Sequence, residues 1–165
     1  MDYCMYCGNK LQLKNHGNEG IISYCNHCKR FIYPIYYTAV SLILRNTIDN
    51  KILLIKQYGK PYYILVAGYI RQKESAEDAA RRELLEETGL EMLNCKINKT
   101  KFFEPSNTLM INFTCWVSSK FVNSNNEIDF WDWFDPSEAC QNIKPNSLAK
   151  EFLVYYFESQ MPQMF

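Results

Sequence analysis

Residues 68–90 read GYIRQKESAEDAARRELLEETGL, and the way this stretch folds decides the rest. Ser75-Ala76-Glu77-Asp78 is a capping-box-like helix start, with Asp78 three residues after Ser75. Gly89 stands where a helix places its left-handed C′ residue. Between them, at about 100° per residue, Glu83 set at zero puts Glu86 at about −60° and Glu87 at about +40°. Ala76, Ala79 and Ala80 then fall at about +20°, −40° and +60°, on the same face. Glu77, Asp78, Arg81, Arg82 and Leu85 occupy the remainder, with Leu84 at the margin. A solvated acidic face lies opposite the apolar stripe of a surface helix; here the acids continue the stripe. Carboxylates so close repel one another and are costly to desolvate. A hard divalent cation removes that penalty, and oxygen ligands suit Mg²⁺ or Mn²⁺.

Outward from this helix, the chain has 165 residues, with 18 basic and 18 acidic side chains. Seven of those 18 acids fall between Glu74 and Glu91, so the zero net charge averages over a local concentration. A neutral chain offers no broad field for nucleic acid or an anionic membrane. A hydrophobic share of 47% with 15% aromatics supports a folded core. No apolar run approaches the roughly 18 residues of a membrane-spanning helix. No cationic-then-apolar leader is visible at the N-terminus, and a reducing, cytoplasmic setting is expected. Tyr36–Leu44, Ile52–Lys56, Tyr62–Val66, Leu109–Val117 and Ile128–Phe134 read as strands, and Ser147–Glu158 as a closing helix. Strands mixed with helices indicate an α/β or α+β fold.

The first 28 residues contain Cys4, Cys7, Cys25 and Cys28, spaced C-x2-C, seventeen residues, C-x2-C. This is the four-thiolate zinc spacing, in which each pair presents two thiolates from one tight turn. Iron in a rubredoxin-like site is the alternative metal. Gly8 stands where the turn after the first pair needs positive φ. Gly17-Asn18-Glu19-Gly20 reads as a hairpin tip. Some 33 residues build too small a core alone, so a metal would supply folding free energy. The expected division is a zinc ribbon over 1–33 and a larger domain over 34–165. His27 lies within the second knuckle but is a bystander to a complete thiolate set. Cys95, Cys115 and Cys140 lack partner spacing and read as small buried hydrophobes.

Gly68, Glu74 and Arg82-Glu83-Leu84-Leu85-Glu86-Glu87-Thr88-Gly89-Leu90 match every specified position of G-x5-E-x7-R-E-U-x-E-E-x-G-U, with U aliphatic. The chain thus resembles the Nudix hydrolase family. The ribbon followed by Tyr33-Pro34, the Leu65–Tyr69 segment, Glu127-Ile128 with Trp133-Phe134, and Ser147-Leu148-Ala149 are similar to its zinc-ribbon-containing NADH pyrophosphatase branch. The segment Thr100–Thr108 departs from that branch and keeps only its aromatic-proline character, in Phe102, Phe103 and Pro105. The resemblance implies an α/β/α sandwich preceded by the ribbon. It also implies a metal-dependent pyrophosphatase that cleaves a nucleoside diphosphate from another group.

That chemistry needs charge neutralised on non-bridging oxygens and an activated water. Glu83, Glu86 and Glu87 are therefore assigned as ligands of Mg²⁺ or Mn²⁺, or as base. The Gly68 carbonyl is a further ligand by resemblance. Glu127 is either another ligand or an exposed loop glutamate. Arg82 is expected to hold the carboxylates, and Glu74 to tie loop to helix. Arg71 and Lys73 either meet substrate phosphate or are solvated. The only histidines, His16 and His27, lie in the ribbon, which excludes a Ser-His or Cys-His nucleophile from the larger domain. Tyr33, Phe102 and Phe103 are candidates for stacking on a base. The expected substrate is a small nucleotide diphosphate, foremost an NAD(H)-like dinucleotide. ADP-ribose, FAD, a nucleoside triphosphate and NAD-capped RNA are the alternatives, and a nucleotide-sensing binding protein the non-enzymatic one. No membrane partner is expected, and nucleic acid only as a capped RNA end. The branch's homodimer is compatible with the aromatic content.

Overall fold

The computed structural model describes residues 2–160. They form two compact units, one ending at Tyr36 and one beginning at Tyr37. In the first, β1 (Gln12–Asn15), β2 (Ile21–Cys25) and β3 (Arg30–Ile32) make an antiparallel sheet in that order. A single 3-10 turn over Gly17–Glu19 joins β1 to β2 at the expected hairpin tip. The unit's interior is small: Cys4, Cys25 and Ile32 are buried, with Leu11 packed against them.

The second unit is built on a six-stranded mixed sheet. Its strands are β4 (Tyr37–Asn46), β5 (Ile52–Gln57), β6 (Val66–Tyr69), β7 (Asn94–Phe103), β8 (Thr108–Val117) and β9 (Ile128–Phe134). The order is β7-β8-β4-β5-β9, with β6 also on β4. β4 runs parallel to β8 along its whole length. Its other edge is shared: β6 pairs with Ala39–Leu42 and β5 with Leu44 and Arg45. The sheet therefore forks along β4.

Three helices complete the unit: α1 (Ala76–Thr88), α2 (Pro136–Asn142) and α3 (Leu148–Gln160). Alternation along the central strands assigns them to two faces. Val40, Leu42 and Leu44 of β4, with Leu53 and Ile55 of β5, pack with Ala79, Ala80 and Leu84 of α1. Ile43, Ile52 and Leu54 pack on the opposite side with Ala139 of α2 and Phe152, Leu153 and Tyr156 of α3. Strands covered on both faces read as continuous apolar runs, as β4 and β5 do. This is the expected α/β/α sandwich. Among the described residues, no helix is long and apolar enough to cross a membrane.

Three details differ from the sequence expectation. The strand anticipated over Tyr62–Val66 begins only at Val66, because Tyr63 and Ile64 make isolated bridges to Ile143 and Ile55 before the chain crosses to β4. β7 was not foreseen. It is an edge strand carrying Lys96, Lys99 and Lys101, with a bulge between Ile97 and Lys99 that breaks its alternation. Lysines and bulges are how exposed edges avoid pairing with other chains, and they also blur the strand signal. α2 escaped notice because it is short, although Asp135-Pro136 and Glu138 form a recognisable start.

Candidate active site and metal centres

The sequence sets α1 firmly in place. The Ser75 hydroxyl accepts from the Asp78 N–H at 3.1 Å, and Gly89, at φ +67°, closes the helix with its N–H on the Leu85 carbonyl. Ala79, Ala80 and Leu84 are fully buried against the sheet. Small alanines bring the helix axis close, and the same face carries Glu87 inward.

Glu87 is only 4% exposed. Its Oε2 accepts from Gln57 Nε2 at 3.0 Å. Burial, and then the neighbouring carboxylates of Glu83 and Glu127, push its carboxyl up to about 8. A buried carboxylate with one neutral donor is short of positive charge.

Arg82 organises the remaining acids. Its Nε and Nη2 meet Glu74 Oε1 and Oε2 at 2.7 and 2.9 Å. Nη1 lies 2.5 Å from Glu83 Oε1 and 3.2 Å from Glu86 Oε2. Nη2 also donates to the Tyr69 carbonyl at 3.0 Å, so one guanidinium pins β6, the loop and α1 together. Glu74 completes the tie by accepting from the Arg71 N–H at 2.8 Å. The Arg82 fork, and then that N–H, hold the Glu74 carboxyl down to about 2.

A cleft of about 470 Å³ opens over these groups. Glu83, Glu87 and Glu127 line it together with Gly68, Arg71, Tyr58, Tyr69, Ser106 and Thr108. Gly68 and Glu83 approach so closely that a Cβ on Gly68 would overlap the Glu83 carboxyl. Glu127 is exposed, but it faces this cleft and accepts from the Tyr58 hydroxyl at 2.7 Å. Helix α1, the loop after β6 and the loop before β9 thus bring three carboxylates and one arginine to one opening.

Several expected positions shift. Glu86 is not on the buried face: its side chain is 45% exposed, bridging Arg82 and Arg71 Nη2, the latter at 3.1 Å. Leu84, read as marginal, is fully buried. The contact face is centred near Ala80 and Glu87 rather than at Glu83, which leaves Glu86 at its edge. Phe102 and Phe103 are not among the residues lining the cleft, and Phe103 lines a different cavity with Lys99, Lys101 and α3. Tyr33 lies in the first unit, its hydroxyl 3.2 Å from His16 Nδ1. The aromatics that do line the cleft are Tyr58 and Tyr69, and neither stood out by spacing. Of the three unpaired cysteines, Cys115 is fully buried while Cys95 and Cys140 are half-buried against the two cores.

In the first unit, the Sγ atoms of Cys4, Cys7, Cys25 and Cys28 all lie within 4.8 Å of one another. The Cys4–Cys28 and Cys7–Cys25 pairs are 3.9 and 3.5 Å apart. Disulfide sulfurs stand at about 2 Å, whereas four sulfurs at about 2.3 Å from a tetrahedral ion stand about 3.8 Å apart. The quartet therefore fits a metal ion. Hydrogen bonds from the Asn9 side chain and backbone hold the Cys7 thiol down, while Cys7 and burial push the Cys28 thiol up. Gly8 has φ +72°, as its turn requires. Among the described residues, no group of carboxylates is drawn together as tightly; Arg82 Nη1 bridges Glu83 and Glu86 instead.

Comparison with known proteins agrees with this architecture. The NUDIX domain family model matches residues 36–156. NAD-capped RNA hydrolase NudC of Vibrio atlanticus is 25% identical over 156 residues, covering 93% of this chain and 56% of the relative. The NudC protein of Pseudomonas aeruginosa is 27% identical over 157 residues, covering 93% and 55%. The chain thus spans little more than half the length of these curated relatives. Among solved structures, a NUDIX hydrolase from Nitrosomonas europaea superposes with a TM-score of 0.65 at 22% identity, over 97% of this chain and 92% of that one. The NUDIX domain of Shewanella oneidensis NrtR, complexed with ADP ribose, gives 0.65 at 16% identity over 84% and 94%. These structural likenesses concern the fold. With its fold, its loop–helix segment and its family match in agreement, the chain belongs to the NUDIX family.

Proposed function

We propose that this chain hydrolyses the diphosphate linkage of a nucleoside-diphosphate-X substrate, foremost an NAD(H)-like dinucleotide, either free or as the 5′ end of an RNA. The observation that carries this reading is Glu87, a buried carboxylate facing a cleft shared with Glu83 and Glu127 and supplied with a single neutral donor. Such a donor set suits a hard divalent cation, and Glu83, Glu86, Glu87, Glu127 and the Gly68 carbonyl would hold Mg²⁺ or Mn²⁺. When bound, that ion neutralises phosphate oxygens and lowers the pKa of water.

The chain's own residues do the rest. Arg82 and Glu74 keep the loop against the helix so that Gly68 and Glu83 stay in contact. Arg71, at the cleft and 62% exposed, faces incoming phosphate. No histidine lies beyond residue 27, so the base is a carboxylate or metal-bound hydroxide. Tyr58 and Tyr69 offer aromatic surface for a base. The cysteine quartet holds a structural zinc.

Incubation with NADH, NAD⁺, ADP-ribose, FAD, nucleoside triphosphates and NAD-capped RNA, with Mn²⁺ or Mg²⁺ and chromatographic product analysis, tests this. AMP with the matching mononucleotide is the expected product pair from NADH. No cleavage of any of these substrates would refute the proposal.

Gly68→Ala follows from the same geometry. The added methyl meets the far end of the Glu83 side chain rather than backbone and shifts it against Arg82, so the unfolding temperature should fall only slightly. Turnover should fall about tenfold or more, because a misplaced carboxylate weakens metal binding. Wild-type turnover in Gly68→Ala would show that the Gly68–Glu83 contact plays no part.

A further inference from the structure

Beyond the aromatic surface of Tyr58, the turn that ends β5 plays no part in the hydrolysis proposed above. Three consecutive residues there each donate to a different acid. Gln57 Nε2 donates to Glu87 at 3.0 Å, the Tyr58 hydroxyl to Glu127 at 2.7 Å, and the Gly59 N–H to Asp129 Oδ2 at 2.6 Å. Glu87 comes from α1, while Glu127 and Asp129 come from the start of β9 and the loop before it.

The backbone shows that the turn is held in place. Tyr58 has φ +55° and Gly59 φ +67°. Glycine takes the left-handed region freely, but a tyrosine there is strained and persists only where its surroundings fix it. The Tyr58 side chain is 67% exposed, so core packing is not what fixes it. The Gly59–Asp129 bond and the Tyr58–Glu127 bond are. A further tie, from the Lys60 N–H to the Gln57 carbonyl at 3.1 Å, closes the turn.

We propose that the Gln57-Tyr58-Gly59 turn is a positioning clamp that sets the spacing and orientation of Glu87 and Glu127 for one divalent cation. Each donor occupies a single carboxylate oxygen, Oε2 in both cases, and leaves Oε1 without a bond from the turn. Tyr58 acts through Glu127 and Gln57 through Glu87. Partners of this kind orient ligating carboxylates, and their loss typically weakens metal binding about 10–100-fold. The clamp rests on the proposed metal-dependent hydrolysis.

The test is a double-mutant cycle on the full chain, using Tyr58→Phe, Glu127→Gln and the pair, with Mn²⁺ affinity read from the free-ion EPR signal and NADH turnover measured in parallel. Tyr58→Phe keeps the ring and removes one oxygen, and unchanged thermal unfolding verifies that the fold is intact. The expected result is a fall of about tenfold or more in Mn²⁺ affinity and in kcat, with no further fall when Glu127→Gln is already present. Equal losses on both backgrounds would place Tyr58 on the substrate instead and overturn the clamp, as would Mn²⁺ affinity unchanged in Tyr58→Phe. If the wild-type protein binds no Mn²⁺ and cleaves nothing, the hydrolase reading has failed; if only the cycle fails, that reading stands without the clamp.

Discussion

Glu87→Gln should abolish turnover by about three orders of magnitude or more while making the metal-free protein more stable at alkaline pH. The first effect follows from losing a charged ligand at a divalent ion. The second follows from linkage. The Glu87 carboxyl is held at about 8 in the folded chain against an ordinary 4.5. Between those values the unfolded chain has released a proton that the folded chain retains. Metal-free stability therefore falls as pH rises through that window, and above about pH 8 the full penalty of a buried, charged Glu87 applies. Gln57 relieves it only in part. Glutamine has the same shape and no charge. Thermal unfolding without added Mg²⁺ or Mn²⁺ should show the variant above wild type at pH 8.5 and the two converging at pH 5. Saturating Mn²⁺ should reverse the order, since only wild type gains binding energy. A variant less stable than wild type at pH 8.5 without metal would show that Glu87 is stabilised by something other than a cation.

Cys25→Ser should unfold the first unit and leave the second intact. Cys25 is fully buried among the four sulfurs, with Cys4 and Ile32 as its fellow buried core residues among the described residues. A unit of that size has little apolar burial to oppose chain entropy. A structural zinc contributes about 10–16 kcal/mol in comparable small folds. Removing one thiolate should release the metal, expose the segment before Tyr37 to protease, and lower zinc content from about one per chain to none. The second unit has its own two cores and should keep a cooperative transition. Undiminished zinc and protease resistance in Cys25→Ser would overturn the assignment of this quartet.

The two candidate metal centres differed in how far the sequence revealed them. The cysteine pairs lie close along the chain in two tight turns, so spacing alone located all four sulfurs. Along α1, helical periodicity placed Ala79, Ala80 and Glu87 on one face, as found. It missed the centre of that face by enough to place Glu86 on the alanine stripe and Leu84 at its margin, because periodicity gives relative angles and only packing sets the zero. Arg82 and Glu74 were legible as a tie between helix and loop. Tyr58 and Gln57 were not, since their partners are 69 and 30 residues distant; Glu127 meets Tyr58 through the β5–β9 pairing, and Glu87 meets Gln57 through the packing of α1 on the sheet. Phe102 and Phe103 attracted attention as aromatics in a segment with proline. Their register on β7, opposite Leu109 and Thr108, could not be read while β7 itself, rich in lysine and interrupted by a bulge, gave no strand signal.

The claim on which the rest depends is that the cleft between α1 and the fork of the sheet is a divalent-cation centre. An anomalous difference map from crystals grown with Mn²⁺ tests it most directly. The expected result is a peak bounded by Glu83, Glu87 and Glu127, absent from Glu87→Gln crystals. A map with no density there, or with Mn²⁺ bound only elsewhere on the chain, would contradict it.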